Sequence, residues 1–364
     1  MKELLFDFLA RAWDLLLEQL TPPVLSVTSP LYWPHIAAAL LLSWLVQRTQ
    51  GTSRRDALSL HGFSRARRWA AAYWHRSARV DYAFYLLNGV IVPLLLAPHL
   101  LADVVVRSGV ERRLADAFGP SEMDANAPGT VLALALTATI FLAYDLGRFI
   151  GHFCMHRVAG LWAFHKVHHS AEVLTPMTNF RVHPVELAVM AASTTVTTGV
   201  CAGVIAYSFP AGPVWTSLSL GAAVTLFVFD LGGALLRHSS VWLSYGAVVE
   251  RVLISPAQHQ IHHSVDPRHI GKNLGFALAI WDGLAGTLYV TREREDLRVG
   301  LGDGSEATYR SVARAYLVPF VDLLAAIGVG VSVAAGAALD RAKGRTRAAD
   351  RAQAARQPSR STTA

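Results

Sequence analysis

Clustered histidines are the residues of this chain whose types and spacing could do chemistry. The 364-residue sequence has 15 histidines, and 11 of them lie between positions 152 and 269. His152 and His156 are four residues apart near the end of an apolar stretch, so a helix there would project both imidazoles from one face. Two imidazoles on one face are what two ligands of one metal centre require.

The pattern H-x-x-H-H occurs twice, with about ninety residues between its copies. The first copy runs from His165 to His169 as HKVHH, and the second runs from His259 to His263 as HQIHH. On a helix, the first and second histidines of each box would lie one turn apart, while the adjacent pair would splay apart. One box could therefore serve two neighbouring metals.

The number of imidazoles favours a dinuclear site. His238 directly follows an apolar segment, at the level where we expect the other clusters. One tetrahedral zinc needs at most four ligands, whereas two metals with four or five nitrogens each would use the whole set. The nine candidate ligands are His152, His156, His165, His168, His169, His238, His259, His262 and His263.

Two more residues are assigned to the surroundings of this site. Asp145 lies seven residues before His152 on the same predicted helix face, where it could accept a hydrogen bond from a ligand imidazole and fix its tautomer. His183 could be a tenth ligand, a donor to a ligand or a structural residue, and we favour the last two. The histidines without matching partners are expected to be structural: His35, His61, His75, His99 and His269.

The residues alone leave the metal and the reaction open. An all-imidazole shell suits iron, zinc, copper or nickel. A zinc-dependent membrane hydrolase is disfavoured, because the sequence lacks the H-E-x-x-H motif and offers no general base beside the boxes. A metal transporter is the other alternative, but transport predicts ligands at mid-membrane depth with acidic partners.

The composition predicts that these histidines are carried by membrane helices. Hydrophobic residues make up 52% of the chain and charged residues only 16%, against roughly 25% in soluble domains. The formal net charge of +7 comes from basic residues that flank apolar segments, which indicates membrane topology and not nucleic-acid binding. Two cysteines cannot form a disulfide framework.

Six apolar segments are candidate membrane spans. They are approximately 31–47, 83–106, 130–151, 185–208, 213–236 and 311–338. The loop 48–80 holds eight arginines and one acid, so the positive-inside rule places it in the cytoplasm. The spans 130–151 and 213–236 then run inward and end in histidines on the cytoplasmic side. In the last segment, Pro319 and the glycine-rich stretch 328–336 could mark a hairpin or a re-entrant pair.

We therefore predict an all-α, polytopic integral membrane helical bundle with a cytosolic, histidine-rich di-metal cap. Its parts are an amphipathic interfacial helix (1–28), an N-terminal membrane region with a basic cytoplasmic loop (29–125), a catalytic domain (126–300), a C-terminal membrane segment (301–340) and a disordered basic tail (341–364).

The histidine boxes resemble those of the sterol desaturase/fatty acid hydroxylase superfamily of membrane di-iron oxygenases. The resemblance covers roughly 130–290 and rests on Asp145-Leu146 before the H-x-x-x-H box, on Trp162 to Ser170, on His183-Pro184-Val185-Glu186 and on Ser255 to His263. The segments Gly271 to Gly275 and Trp281 to Leu288 are similar to the closing segment of its alkylglycerol monooxygenase branch. The chain departs from the family at Phe153, where many members have arginine.

The resemblance implies O2-dependent hydroxylation or desaturation of a lipid C–H bond at two iron ions held by the nine histidines. The lipid could be a sterol, a fatty acyl chain, an alkyl ether lipid or a carotenoid. Electrons would come from an external donor, such as a cytochrome b5-like protein, a ferredoxin-like protein or a reductase, because the sequence has no haem, flavin or nicotinamide motif. An excess of arginine over lysine suggests a bacterial plasma membrane, with the active site on the cytoplasmic side.

Overall fold

The computed structural model describes residues 29–49, 70–96, 103–121, 130–209 and 229–326, together with the isolated residues Asp14 and Phe227. These residues are mostly helical and contain no β-strand; their only β-type pairings are isolated bridges between Leu253 and Leu278 and between Ser264 and Val299. The α-helices are α1 (Trp33–Thr49), α2 (Arg76–Ile91), α3 (Asp103–Phe118), α4 (Thr130–Arg157), α5 (Ala159–His169), α6 (Pro184–Ser208), α7 (Pro256–His262), α8 (Ile280–Ala285) and α9 (Val312–Ala326).

Helices α4 and α6 are the long apolar helices of the described part of the chain. Over Ala133–Arg157 and Pro184–Ser208 they are long and apolar enough to cross a membrane, and no other described helix meets that criterion. They pack closely against each other because Gly147 has no side chain: a Cβ there would lie 2.7 Å from the Cα of Thr194. Small residues at a helix crossing are a common solution in membrane proteins.

The predicted spans agree with the helices in part. The spans 130–151 and 185–208 fall within α4 and α6, and 31–47 overlaps α1. In 83–106, α2 ends at Ile91, a π-helical stretch with Pro93 follows over Val92–Leu96, and α3 begins at Asp103. Most of 213–228 lies outside the described residues. The polytopic bundle remains a prediction.

The C-terminal helix α9 continues through Pro319 to Ala326, so Pro319 does not end the helix as a hairpin would require. Proline removes one backbone donor but has a φ angle that a helix can accommodate. The glycine-rich stretch 328–336, the basic tail 341–364 and, apart from Asp14, the predicted interfacial helix 1–28 lie outside the described residues.

Residues 229–310 form a cap segment of short helices and loops, and the buried carboxylate of Asp145 attaches it to α4. Asp145 of α4 accepts hydrogen bonds from the backbone N–H groups of Ala277 and Leu278 and from Nε1 of Trp281. Because Asp145 is fully buried, these three donors compensate for its lost hydration. The contacts attach the cap segment to the helix that carries His152 and His156.

Candidate metal centre

The structure brings the nine predicted histidines together in two adjacent groups. The ligand atoms in each group all lie within 4.8 Å of one another. The five-histidine group contains His152, His156, His165, His169 and His262, and the four-histidine group contains His168, His238, His259 and His263. The rings of His169 and His263 stack across the boundary, with centroids 4.6 Å apart.

Helix geometry divides each H-x-x-H-H box between the two groups. His168 and His169 are neighbours in α5 but face different groups, and His262 and His263 at the end of α7 do the same. Successive residues of a helix point about 100° apart, so adjacent imidazoles diverge. The predicted splay of the adjacent pairs is what the structure shows.

Helix α7 is little longer than the second H-x-x-H-H box, and the residues before the histidines fix where it starts. Ser255 is the N-cap: its hydroxyl accepts from the N–H of Gln258, and the Gln258 carboxamide oxygen accepts from the N–H of Ser255. This capping box satisfies N–H groups that a helix end leaves free. The Gln258 amide nitrogen also donates to the carbonyls of Glu250 and Tyr289, which anchors the helix in the cap segment.

His238 lies in a turn, so non-helical contacts position it. The turn begins at Gly233, whose φ of 106° suits glycine better than any L residue. The Gln260 amide nitrogen donates to the carbonyls of Leu236 and Val241 on either side of His238. The buried Arg237 guanidinium donates to the carbonyls of Ile254 and Phe276. Together these contacts hold His238 against α7.

Four of the nine imidazoles have an acceptor at Nδ1, and this assigns their tautomers. The carbonyl oxygens of Leu274, Arg181 and Lys272 accept from Nδ1 of His152 (2.7 Å), His168 (3.2 Å) and His262 (2.9 Å), respectively. The carboxylate of Glu186 accepts from Nδ1 of His165 at 2.7 Å. A neutral imidazole has one N–H, so Nε2 of each of these four residues carries a lone pair.

These lone pairs face one another. Nε2 of His152 lies 3.1 Å from Nε2 of His165, and neither nitrogen has a proton to share. Two nitrogens bound to one ion at about 2.1 Å and at right angles would lie about 3.0 Å apart. Nε2 of His156 and Nε2 of His262 are buried and have no hydrogen-bond partner among the described residues. The arrangement therefore fits a cation bound between the rings.

The four-histidine group shows the same spacing around His238. Its Nε2 lies 3.0 Å from Nε2 of His259, 3.1 Å from Nε2 of His263 and 3.3 Å from Nε2 of His168. One nitrogen cannot form hydrogen bonds with three ring nitrogens at once. A shared cation explains all three contacts.

Burial keeps these imidazoles neutral, which is the form that binds metal. It lowers the pKa of His168 to about 3 and that of His262 to about 4, because the charged form loses its hydration. Burial also lowers the pKa values of His165, His169, His238, His259 and His263 well below the usual value, and neighbouring imidazoles lower them further.

The predicted hydrogen bond from a ligand imidazole to Asp145 is wrong. Its carboxylate accepts hydrogen bonds from the three cap-segment donors and from no imidazole of the described residues. The reason is its distance along α4: seven residues place Asp145 about 10 Å from His152, too far for a direct hydrogen bond. Asp145 instead holds residues 277 and 278, which follow Leu274, the residue whose carbonyl accepts from Nδ1 of His152.

His183 belongs to neither group. Its Nδ1 accepts from the N–H of Val185 as the N-cap of α6, and its Nε2 donates to the carbonyl of Tyr316. Both ring nitrogens are therefore occupied by the protein. This agrees with the structural interpretation and leaves no nitrogen for a tenth ligand.

The remaining described histidines also have structural surroundings. His35 donates to the carbonyl of Ser29, His75 caps α2, and His269 lies 3.1 Å from a carboxylate oxygen of Glu295. His61 and His99 lie outside the described residues.

Sequence reasoning assigned no role to Glu186 and left open whether Arg181 meets a lipid head group or packs within the protein. Arg181 is fully buried and forms an ion pair with the buried Asp81. Among the described residues, Glu186 is the one carboxylate hydrogen-bonded to an imidazole of either group. Its position three residues after His183, in the first turn of a predicted helix, was the available signal for a buried anion near the boxes.

Comparisons with known proteins agree with the geometry. The sequence model of the fatty acid hydroxylase family matches residues 137–287, which include all nine histidines. The chain is 27% identical to alkylglycerol monooxygenase of Danio rerio over 40% of its length and 25% identical to the Homo sapiens enzyme over 42%. Over 40% of its own length, the chain is 29% identical to the ornithine lipid hydroxylase of Rhizobium tropici.

The matched region spans about a third of these relatives: 29% and 31% of the two alkylglycerol monooxygenases and 39% of the ornithine lipid hydroxylase. No solved structure matches the chain significantly.

Proposed function

Because residues 137–287 belong to the fatty acid hydroxylase family, we propose that this chain is a membrane di-iron oxygenase that hydroxylates or desaturates a C–H bond of a lipid. The observation that carries the proposal is the pair of unprotonated nitrogens of His152 and His165 that face each other at 3.1 Å. Buried lone pairs that point at each other are unfavourable unless a cation lies between them.

The two histidine groups would each hold one iron. When bound, the pair of irons would supply O2 activation, the chemistry that no side chain here can provide. The chain's own residues hold the rings: backbone carbonyls orient three of them, Glu186 orients a fourth, and seven of the nine are buried away from water. Rigid, dry surroundings favour oxidation of the substrate over side reactions.

The electron balance requires a partner. Hydroxylation of R–H by O2 to R–OH and water consumes two electrons and two protons. The sequence has no motif for a haem, flavin or nicotinamide cofactor, so we propose that a cytochrome b5-like protein, a ferredoxin-like protein or a reductase supplies them. We place the site on the cytoplasmic side of a bacterial plasma membrane, with α4 and α6 as spans.

The substrate is proposed to be a polar lipid. One group of relatives is named for alkylglycerol and the other for ornithine lipid, so these two classes are the first to test. Alanine substitution of His168 or His262 should abolish turnover and lower the iron content, because each is a buried member of a different group.

The test is expression of the chain in a bacterial host, followed by mass spectrometry of the lipids and iron analysis of the purified protein. We expect a lipid that gains one oxygen or loses two hydrogens, and about two irons per chain. His183→Asn is the matched control, since asparagine keeps the N-cap and His183 lies in neither group. One zinc per chain, or full activity in His168→Ala, would contradict the proposal.

A further inference from the structure

A basic cleft lies on the surface near the four-histidine group. It has a volume of about 560 Å³, and its polar lining includes Arg76, Arg79 and Arg310, while Val80 and Val312 are among its apolar lining residues. Arg76 and Arg79 are exposed and form no ion pair with another described residue. Arg310 is neutralised by a bidentate pair with Glu172, so the uncompensated charge comes from the two α2 arginines.

These two arginines are poorly placed for the stability of their own helix. They lie in the first turn of α2, and that turn has no acidic residue. Positive charge at a helix N-terminus is unfavourable, because it lies at the positive end of the helix dipole. The local fold does not explain this placement, whereas an anionic partner would stabilise it.

One buried residue connects the walls of the cleft to the histidines. The Arg181 guanidinium donates to the carbonyl of Ser77, next to Arg76, and to the carbonyl of Tyr309, next to Arg310. The backbone carbonyl of the same residue accepts from Nδ1 of His168 at 3.2 Å. A continuous path of covalent and hydrogen bonds therefore runs from both walls to a member of the four-histidine group.

The base of the cleft is close to the same group. Val80 is buried in an apolar cluster with Val167, the residue directly before His168. The Arg181 Nε also donates to the carbonyl of Val167. The apolar cluster thus joins a lining residue of the cleft to the residue next to His168.

We propose that this cleft is the docking site of an acidic, one-electron carrier protein, and that electrons enter through the four-histidine group. This inference rests on the proposed function. Each cycle would oxidise two donor molecules by one electron each, and the two electrons with two protons would reduce O2 as R–H becomes R–OH and water. Charge complementarity favours a protein donor with a negative surface, since complementary charges steer encounter and set orientation.

The test compares two sources of electrons in the iron-loaded protein in nanodiscs. One source is reduced plant-type ferredoxin or cytochrome b5, both used as acidic probes, and the other is dithionite with methyl viologen. The variant is Arg76→Gln/Arg79→Gln. Its matched control is Arg112→Gln/Arg113→Gln, which removes two exposed arginines from α3 that do not line the cleft.

We expect the cleft variant to raise the KM for the protein donor about tenfold at low salt, with a smaller difference at high salt. Turnover with dithionite and the iron content should match wild type, and the control should behave as wild type in every assay. An unchanged donor KM in the cleft variant, or an equal rise in the control, would overturn the docking proposal.

Two measurements separate the other outcomes. Donor binding to the wild type and the variant is also measured directly at low salt, so the proposal is decided even if no turnover is found; absent binding to the wild type refutes it. No turnover with dithionite would instead count against the proposed function. If the variant alters only the response to phosphatidylglycerol in the nanodisc, the cleft binds lipid and the docking proposal is wrong.

Discussion

The carboxylate of Glu186 provides the sharpest test of the metal centre. It is buried, lies in the first turn of α6 and accepts from Nδ1 of His165 at 2.7 Å. Among the nine histidines, this is the one described hydrogen bond to a carboxylate. Replacing Glu186 by alanine would leave that N–H unpartnered in a buried site and release the His165 tautomer.

The expected loss follows from this one contact. Loss of a residue that orients a metal ligand typically weakens metal binding by about 10- to 100-fold. Such a change equals about 1.4–2.8 kcal/mol. The loss of metal affinity should affect the five-histidine group, which contains His165. The affinity of the four-histidine group, to which Glu186 has no described hydrogen bond, should stay unchanged.

The assay is competition with a graded series of iron chelators in detergent solution, read as iron remaining per chain. In Glu186→Ala, one iron should leave at a lower chelator concentration while the other behaves as in wild type. Glu186→Gln should be intermediate, because its amide oxygen can still accept from His165. Glu172→Gln, which removes a carboxylate that is hydrogen-bonded to Arg310 and not to a described imidazole of either group, is the control. Simultaneous loss of both irons, or no change, would refute this account.

Four further outcomes are expected. Gly147→Leu should lower the melting temperature sharply, because a Cβ at that position already meets the backbone of Thr194 in α6. Arg181→Met should destabilise the protein by about 3–5 kcal/mol in denaturant unfolding, since it leaves Asp81 buried without its cation. Asp282→Asn should speed the loss of iron to a chelator. The Asp282 carboxylate accepts from the N–H groups of Leu274 and Gly275, and the Leu274 carbonyl orients a ligand ring. An unchanged rate would show that Asp282 does not support that ring. Stripping the metal should lower the melting temperature, because ions that bind only the folded chain stabilise it, and equal melting of stripped and loaded protein would contradict the metal centre.

Local patterns carried much of the information about the site. The spacing of the histidine boxes predicted that adjacent imidazoles diverge, and this held in α5 and α7 because the rotation per residue in a helix is constant. The helical character of 130–151 and 185–208 followed from apolar runs too long for a strand. The capping box from Ser255 to Gln258 was not predicted, although its contacts span only three residues.

The surroundings of the rings were less predictable from sequence. Three of the four assigned tautomers depend on backbone carbonyls, those of Leu274, Arg181 and Lys272. Every residue has a carbonyl, so side-chain identity gives no signal there. For Asp145 the residue type was misleading. A carboxylate suggested a partner for an imidazole, but the position of Asp145 two turns before His152 on α4 places it against the cap segment.

The sequence by itself determined which nine imidazoles could act together. It also determined that the adjacent histidines of each H-x-x-H-H box would point in different directions, because residue type and the periodicity of a single helix are enough to predict this. Only the tertiary structure decided the division into five and four, the carboxylate that meets His165 and the link from Arg181 to His168. Those contacts join segments up to about a hundred residues apart, and their distances follow from how helices and loops pack, which no local pattern encodes.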